Sequence, residues 1–314
     1  MSLLLAMTGW HVEDWRARFA ALLPDMPVVI LGEPFDRRSV HYVASWKHPE
    51  GSLSGLPNLA AVFSLGAGVD HLFADTRLPE VPIARVVDPD LTTRMSEYVV
   101  LHCLRYLRQQ PRYDRQQREA IWDDDRNQPA ARSVRVGIMG MGELGQDAAR
   151  KLKVVGFDVA GWSRSPKTVE GLTTFAGSDG MVDFLGRTDI LVSLLPLTPD
   201  TRGLIDAKLL AGLAQGGRLG GPFLINAGRG RLQVEADILA ALEGGTLKGA
   251  TLDVFETEPL PSDSPLWSHP AVTVTPHNAA MSEPEAVATL IAAQIRRLEA
   301  GEPLEHVVDP ARGY

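Results

Sequence analysis

The chain contains one cysteine, Cys103, in 314 residues. A lone thiol cannot close an intramolecular disulfide, which suits a reducing compartment. Its apolar helical neighbours (VVLHCLRYL) assign it to core filling rather than nucleophilic chemistry. Cations are also in deficit: 31 Lys and Arg against 39 Asp and Glu leave a formal net charge of −8. That balance argues against nucleic acid and anionic membranes as partners, because phosphate backbones require clustered Lys and Arg. Small anions stay open as ligands, since a few local cations hold them. No apolar run approaches the ~20 residues of a bilayer span. The short run Leu3–Ala6 has no basic flank and no small-residue cleavage site, so it reads as a first strand rather than a leader. A soluble cytoplasmic chain without a metal site is the expectation.

What is present is an alternation of short apolar runs with helical patterns. At this length two domains are the better prior. Leu3–Met7, Val28–Leu31, Tyr42–Ser45, Leu59–Ser64 and Ile83–Val87 read as strands of a small α/β unit, with a helix over His11–Leu23. Met95 to Gln117 carries an apolar stripe at Val99, Val100, Cys103, Leu104 and Leu107. It predicts a long bridging helix that Pro111 ends or kinks. From Ser133 a second series begins. Its strands are Val134–Met139, Phe157–Trp162, Ile190–Leu195, Pro222–Asn226, Ala250–Val254 and Val272–Thr275, with helices at Leu144–Val155 and Glu235–Glu243. The pattern predicts a doubly wound parallel sheet that follows the smaller α/β unit. A last helix runs from Ser282 to about Ala300.

The strand VRVGIM runs directly into Gly140-Met141-Gly142-Glu143-Leu144-Gly145, and a helix follows. Strand, G-x-G-x-x-G and helix in that order form the context of a dinucleotide fingerprint. Gly140 permits the turn, Gly142 lets the backbone approach a pyrophosphate, and Gly145 lets the helix pack on the strand. The alternative is a glycine-rich turn without a ligand. The next strand ends in Ser163-Arg164-Ser165-Pro166-Lys167, where an NAD-type site would carry an acid. A carboxylate would repel a 2′-phosphate, whereas Arg164 can fork onto it. NADPH is therefore the expected cofactor, with NAD possible. Arg164 is the main contact, and Ser163, Ser165 and Lys167 assist. Leu195 and Pro196 end a strand beside the same crevice.

Three charged groups follow the last apolar runs: Arg229 in FLINAGRG, Glu258 in ATLDVFETEPL and His277 in VTVTPHN. In open α/β sheets ligands gather outside the carboxyl ends of the strands. His277 suits proton donation, Glu258 beside it would favour the imidazolium, and Arg229 would grip a carboxylate and polarise the adjacent carbonyl. A 2-oxo acid carries both of those groups. In the first domain, Gly66-Ala67-Gly68 reads as an anion-binding nest or, more plainly, a tight turn needing positive φ. Trp46 reads as a pocket wall or as packing.

The motifs GMGELG, LLPLTPDTRGLI, INAGRGRLQVEADILAAL, GATLDVFETEPLPSDSPLW and VTVTPHNAA resemble those of the D-isomer-specific 2-hydroxyacid dehydrogenases. WSRSPK, FSLGAGVDHL and the terminal ARGY point to the branch that reduces glyoxylate and hydroxypyruvate. The resemblance covers nearly the whole chain. It implies a Rossmann-type doubly wound parallel sheet inserted in a smaller flavodoxin-like α/β domain, with a substrate domain built from both termini (1–95 plus 288–314) and a dinucleotide domain at 96–287. It also implies a catalytic Arg229, Glu258 and His277, substrate carboxylate at residues 66–68 and a homodimer formed through the cofactor domains. Two stretches depart from the pattern: the glycine-rich Gln215–Pro222, and Asn278 after the histidine. The expected activity is NADPH-dependent reduction of small 2-oxo acids. A dinucleotide-sensing binding protein on the same fold is the alternative.

Overall fold

The computed structural model describes residues 1–126 and 128–313. Asn127, in the polar segment 123–131, and Tyr314, the last residue of ARGY, lie outside the described residues. In chain order the elements are β1 (Ser2–Met7), α1 (Val12–Leu22), β2 (Val28–Ile30), β3 (Val40–Trp46), β4 (Ala61–Ser64), α2 (Asp70–Phe73), β5 (Ile83–Ala84), α3 (Pro89–Leu107) and α4 (Gln110–Arg118). There follow β6 (Arg135–Met139), α5 (Glu143–Val155), β7 (Asp158–Ser163), β8 (Thr173–Ala176), α6 (Gly177–Gly186), β9 (Ile190–Ser193) and α7 (Ala207–Ala211). The chain continues with β10 (Phe223–Asn226), α8 (Glu235–Glu243), β11 (Gly249–Leu252), β12 (Val272–Val274) and α9 (Pro284–Glu299). It divides into two compact units, Met1–Leu91 with Ser282–Tyr314, and Thr92–Met281. The divisions fall at 91/92 and 281/282, where the sequence suggests 95/96 and 287/288.

The first unit is built on a parallel sheet of order β2-β1-β3-β4-β5. That is the flavodoxin-type order, with its switch point between β1 and β3. Leu3, Leu4, Leu5 and Ala6 of β1 are all fully buried because both faces of the sheet are covered. Leu3 and Leu5 pack with Phe19 of α1 and Ile291 and Ile295 of α9. Leu4 and Ala6 pack with Leu53, Leu72 and Val308.

The second unit carries seven parallel strands in the order β12-β11-β10-β9-β6-β7-β8. Its switch point lies between β6 and β9, as in a Rossmann sheet. Alternate residues of β9 serve opposite cores. Ile190 and Val192 face the cluster that contains Val99 and Cys103 of α3 and Ala148 and Leu152 of α5. Leu191 faces the cluster that contains Phe184 of α6, Leu209 of α7 and Ile238 of α8. A fully buried side chain such as Phe184 contributes about 2–3 kcal/mol of transfer free energy.

Pro111 neither ends nor kinks the long helix. α3 stops at Leu107, Gln109 turns left-handed at φ 53°, and Pro111 sits in the first turn of α4, where its missing N–H costs nothing. At the other end of α3, Asp88 accepts the N–H of Asp90 at 3.0 Å and caps the helix start. β8, α6 and α7 are elements that the apolar patterning does not reveal.

His102 lies buried in α3 with Nδ1 3.4 Å from Thr251 Oγ1. Burial first, and the Arg105 cation second, push its pKa down from 6.5 to about 4. The unfolded chain therefore binds one more proton than the folded chain across that window. The contribution is intact above pH 6.5 and is lost as the pH falls toward 4. Urea unfolding should show a loss of up to ~3 kcal/mol from this group. His102→Gln should flatten that part of the stability–pH curve. An equally steep curve in the variant would assign the acid sensitivity elsewhere.

Candidate active site

The glycine loop occupies the switch point of the seven-stranded sheet, between the ends of β6 and β9. Its three glycines have three different surroundings. Gly140 has φ +104°, and a Cβ there would lie 2.8 Å from the Leu194 carbonyl oxygen. A Cβ on Gly145 would lie 2.0 Å from the Gly140 carbonyl oxygen, so helix and strand touch there. A Cβ on Gly142, the residue that opens α5, would meet nothing within 4 Å. The backbone is thus open at the one glycine where a pyrophosphate must approach the helix start, and closed at the other two. The residues fit a dinucleotide. Glu143 stands in the first turn of α5 and Leu144 packs toward the core. Met141 turns its side chain inward against Gly161 and is buried, so only its backbone faces outward chemistry.

The loops after β9, β10 and β11 lock together through further close approaches. A Cβ on Gly228 would stand 2.8 Å from the Leu195 carbonyl oxygen, and one on Gly230 would stand 1.8 Å from that of Phe255. Asn226, fully buried at the end of β10, shapes the turn that carries Arg229. Its side-chain oxygen accepts the Gly228 N–H at 3.1 Å, and its amide donates to the Arg229 carbonyl at 3.2 Å and to Gln233 Oε1 at 2.8 Å. Arg229 Nη1 donates to the Gly228 carbonyl at 2.8 Å, which orients the guanidinium.

Glu258 and His277 meet. Glu258 Oε2 lies 2.7 Å from His277 Nδ1, with the side chains 28% and 43% exposed. Glu258 Oε1 accepts the Phe255 N–H at 3.0 Å, so the carboxylate is fixed on one oxygen while it holds the imidazole with the other. With Nδ1 engaged, Nε2 is the nitrogen left to face a reactant. His277 adopts φ +52°, a conformation rare for a side chain with a Cβ. Its N–H donates to the Asp253 carbonyl at 2.8 Å, which holds the strained turn in place. Because β6, β10, β11 and β12 run parallel, the glycine loop, Arg229, Glu258 and His277 all follow carboxyl ends of one sheet.

Asp253 is the residue that the sequence reading misses. Its buried carboxylate accepts Thr275 Oγ1–H at 2.5 Å, the Asn278 N–H at 3.0 Å and the Ala279 N–H at 3.0 Å. A carboxylate only accepts, so Thr275 donates to it and in turn accepts from the Tyr98 hydroxyl at 2.8 Å. Asp253 therefore ties the loop of β11 to the loop of β12 on both sides of His277. The signal available in the sequence is an acid placed directly after an apolar run, in ATLDVF.

β7 ends in the segment that carries Arg164. Arg164 Nη1 lies 3.4 Å from Asp200 Oδ2 at the surface. Lys167 Nζ donates to the Met141 carbonyl at 2.8 Å and so buttresses the glycine loop. Ser163 Oγ donates to the Ser165 carbonyl at 2.8 Å, closing the small turn that presents Arg164. Leu195 is buried in the core, and Pro196 contributes its carbonyl to Thr201 Oγ1 at 2.8 Å. The glycine-rich Gln215–Pro222 precedes β10 at the opposite, amino rim of the sheet.

Within the first unit, Trp46 closes β3 and its ring presses on Gly66, where a Cβ would stand 2.6 Å from the indole. Gly66 is outside the left-handed region, so close packing rather than positive φ explains this glycine. Gly66 N–H donates to Ser64 Oγ at 3.3 Å, which leaves Ala67 and Gly68 to supply the N–H groups of the turn.

Asp253→Asn would put an amide NH₂ or a weaker acceptor against backbone donors. The expected loss is about 2 kcal/mol in urea unfolding, because charge-assisted bonds are replaced by weaker or repulsive contacts. An unchanged midpoint would remove Asp253 from the architecture of the rim.

A family model described as D-isomer specific 2-hydroxyacid dehydrogenase, NAD binding domain, matches residues 100–279. The chain is 40% identical to glyoxylate/hydroxypyruvate reductase A of Serratia proteamaculans (strain 568), with 100% of each chain covered. It is similar to the solved structure of a probable 2-hydroxyacid dehydrogenase from Rhizobium etli CFN 42 in complex with NADP, HEPES and L(+)-tartaric acid. That likeness has 47% identity, a TM-score of 0.94 and coverage of 100% and 99%. It is also similar to an NADPH-dependent glyoxylate/hydroxypyruvate reductase from Sinorhizobium meliloti solved with NADP and sulfate, at 49% identity, a TM-score of 0.93 and full coverage of both. On the glycine loop, the parallel sheets and these likenesses together, the chain belongs to the D-isomer specific 2-hydroxyacid dehydrogenase family.

Proposed function

We propose that the chain reduces small 2-oxo acids, glyoxylate and hydroxypyruvate among them, with NADPH. The observation that carries this reading is the 2.7 Å pair of Glu258 and His277 at the rim that also bears the glycine loop. The relatives from Serratia proteamaculans and Sinorhizobium meliloti carry that activity in their names, which supports the choice of substrates. The reduced nicotinamide supplies a hydride when bound. The residues of the chain do the rest. Gly142 and the start of α5 hold the pyrophosphate, and Arg164, with Ser163 and Ser165 shaping its turn, receives a 2′-phosphate. Lys167 steadies the loop from behind. Arg229 pairs with the carboxylate of the acid and draws charge from the adjacent carbonyl oxygen. His277 delivers the proton to that oxygen from Nε2 while Glu258 holds the ring in place through Nδ1. In the first unit, the turn at Gly66, Ala67 and Gly68 is read as an anion-accepting turn, and Trp46 as the wall that favours small acids. A homodimer and a cytoplasmic setting belong to the same reading.

Mixing the protein with NADPH and glyoxylate should consume nicotinamide absorbance, and kcat/KM should be at least about tenfold higher with NADPH than with NADH, the scale of one charge-assisted contact. Tight NADPH binding without turnover on any small 2-oxo acid would leave a dinucleotide sensor instead. Glu258→Gln keeps the size of the side chain and removes its charge. The imidazole then keeps only an uncharged bond at Nδ1, so kcat for reduction should fall about tenfold or more while NADPH binding is unchanged. An unchanged kcat would take Glu258 out of proton delivery.

A further inference from the structure

Two serine–histidine contacts stand side by side at the carboxyl end of the five-stranded sheet. Ser45 of β3 and Ser64 of β4 are partners in register. Ser45 Oγ lies 2.8 Å from His48 Nδ1, and His48 Nε2 lies 3.1 Å from Asp75 Oδ2, all buried. This pair anchors the far side of the turn that follows Trp46. The other histidine, His71, faces the turn at 66–68. The Lys47 N–H donates to His71 Nδ1 at 3.2 Å. A ring nitrogen that accepts carries no proton, so the neutral ring bears its hydrogen on Nε2. Nε2–H then donates to Ser64 Oγ at 3.1 Å, and the Ser64 hydroxyl donates to the Gly68 carbonyl at 2.8 Å while it accepts the Gly66 N–H. The bonds run in one direction from Lys47 to Gly68.

The same imidazole packs on Trp46, with ring centroids 4.7 Å apart. Trp10, from the loop after β1, stacks on the indole at 5.0 Å. Thr8 adds an N–H bond to the Trp46 carbonyl at 3.0 Å and a hydroxyl bond to the Lys47 carbonyl at 2.8 Å. Lys47 itself is held at φ +49°, a conformation that needs such support. The loops that end β1, β3 and β4 thus meet around one imidazole.

We propose that His71 is a positioning residue for the carboxylate of the substrate. It buckles the Trp46–Lys47 turn to the 66–68 turn, and so fixes both the N–H groups of Ala67 and Gly68 and the angle of the indole. This deepens the reading of residues 66–68 as an anion-accepting turn and rests on it.

The test uses the full chain loaded with NADPH and two readouts. One is calorimetric binding of oxalate, which presents a carboxylate and cannot be reduced; the other is the steady-state kinetics of glyoxylate. His71→Phe keeps a ring against Trp46 and removes both hydrogen bonds. Oxalate Kd and glyoxylate KM should each rise about tenfold, the scale of one or two lost hydrogen bonds, with kcat, NADPH affinity and Tm unchanged. His71→Gln carries an acceptor and a donor on one planar group, and should recover most of that loss. Parent-like binding in His71→Phe overturns the proposal, as does equal weakening in Phe and Gln variants. A parent chain that binds no oxalate overturns it too. A parent that fails to turn over glyoxylate refutes the reductase instead, and the oxalate titration still judges His71.

Discussion

The architecture of the rim that bears the candidate active site depends on backbones that touch where no side chain intervenes. At Gly140, Gly228 and Gly230 a single added carbon would collide with the carbonyl of a neighbouring loop. These approaches link the loops after β6, β9, β10 and β11 into one continuous surface. Asp253 adds the last link, from β11 to β12. Parallel strands alone would deliver five loops to the same edge and leave each free to wander. The glycine contacts and one buried carboxylate convert that edge into a fixed surface on which a guanidinium, a carboxylate and an imidazole hold set positions.

The fixed surface holds conformations that would not persist alone. His277 sits in the left-handed region, which costs about 1–3 kcal/mol for a residue with a Cβ. Its own N–H, the N–H groups of the two residues after it and the Thr275 hydroxyl all end on Asp253. The strain is thereby offset by bonds to a single buried residue. Met141 is held by the same economy of space: its side chain fills the gap left by Gly161, so the cofactor loop is plugged into the core it rises from.

Most of the second unit was legible because its signals are local. The glycine spacing, the apolar runs and the charged residues after them sit within a few positions of each other, and the parallel order follows from strand–helix alternation. What escaped detection depends on tertiary context. β8 is an edge strand whose residues are exposed or half-buried, so it shows no apolar run. Pro111 is compatible with a helix stop and with a helix start, and only the left-handed Gln109 before it decides between them. Asp253 looks like a turn acid until its three donors, all more than twenty residues away, are in view. Gly66 looks like a glycine of a tight turn, yet what it accommodates is an indole from another strand.

The surface pair of Arg164 and Asp200 has a consequence for how the chain meets its ligands. The whole molecule is anionic at −8, so phosphates and 2-oxo acids approach against its overall field. In physiological salt that field fades within about 8 Å. Under the proposed reading, recognition is then decided at contact, by an exposed guanidinium that exchanges one carboxylate for another anion. Such an exchange involves little net change in charge pairing, so selectivity at this edge comes from geometry rather than from long-range attraction, and added salt should weaken it less than the charge of the ligands alone would suggest.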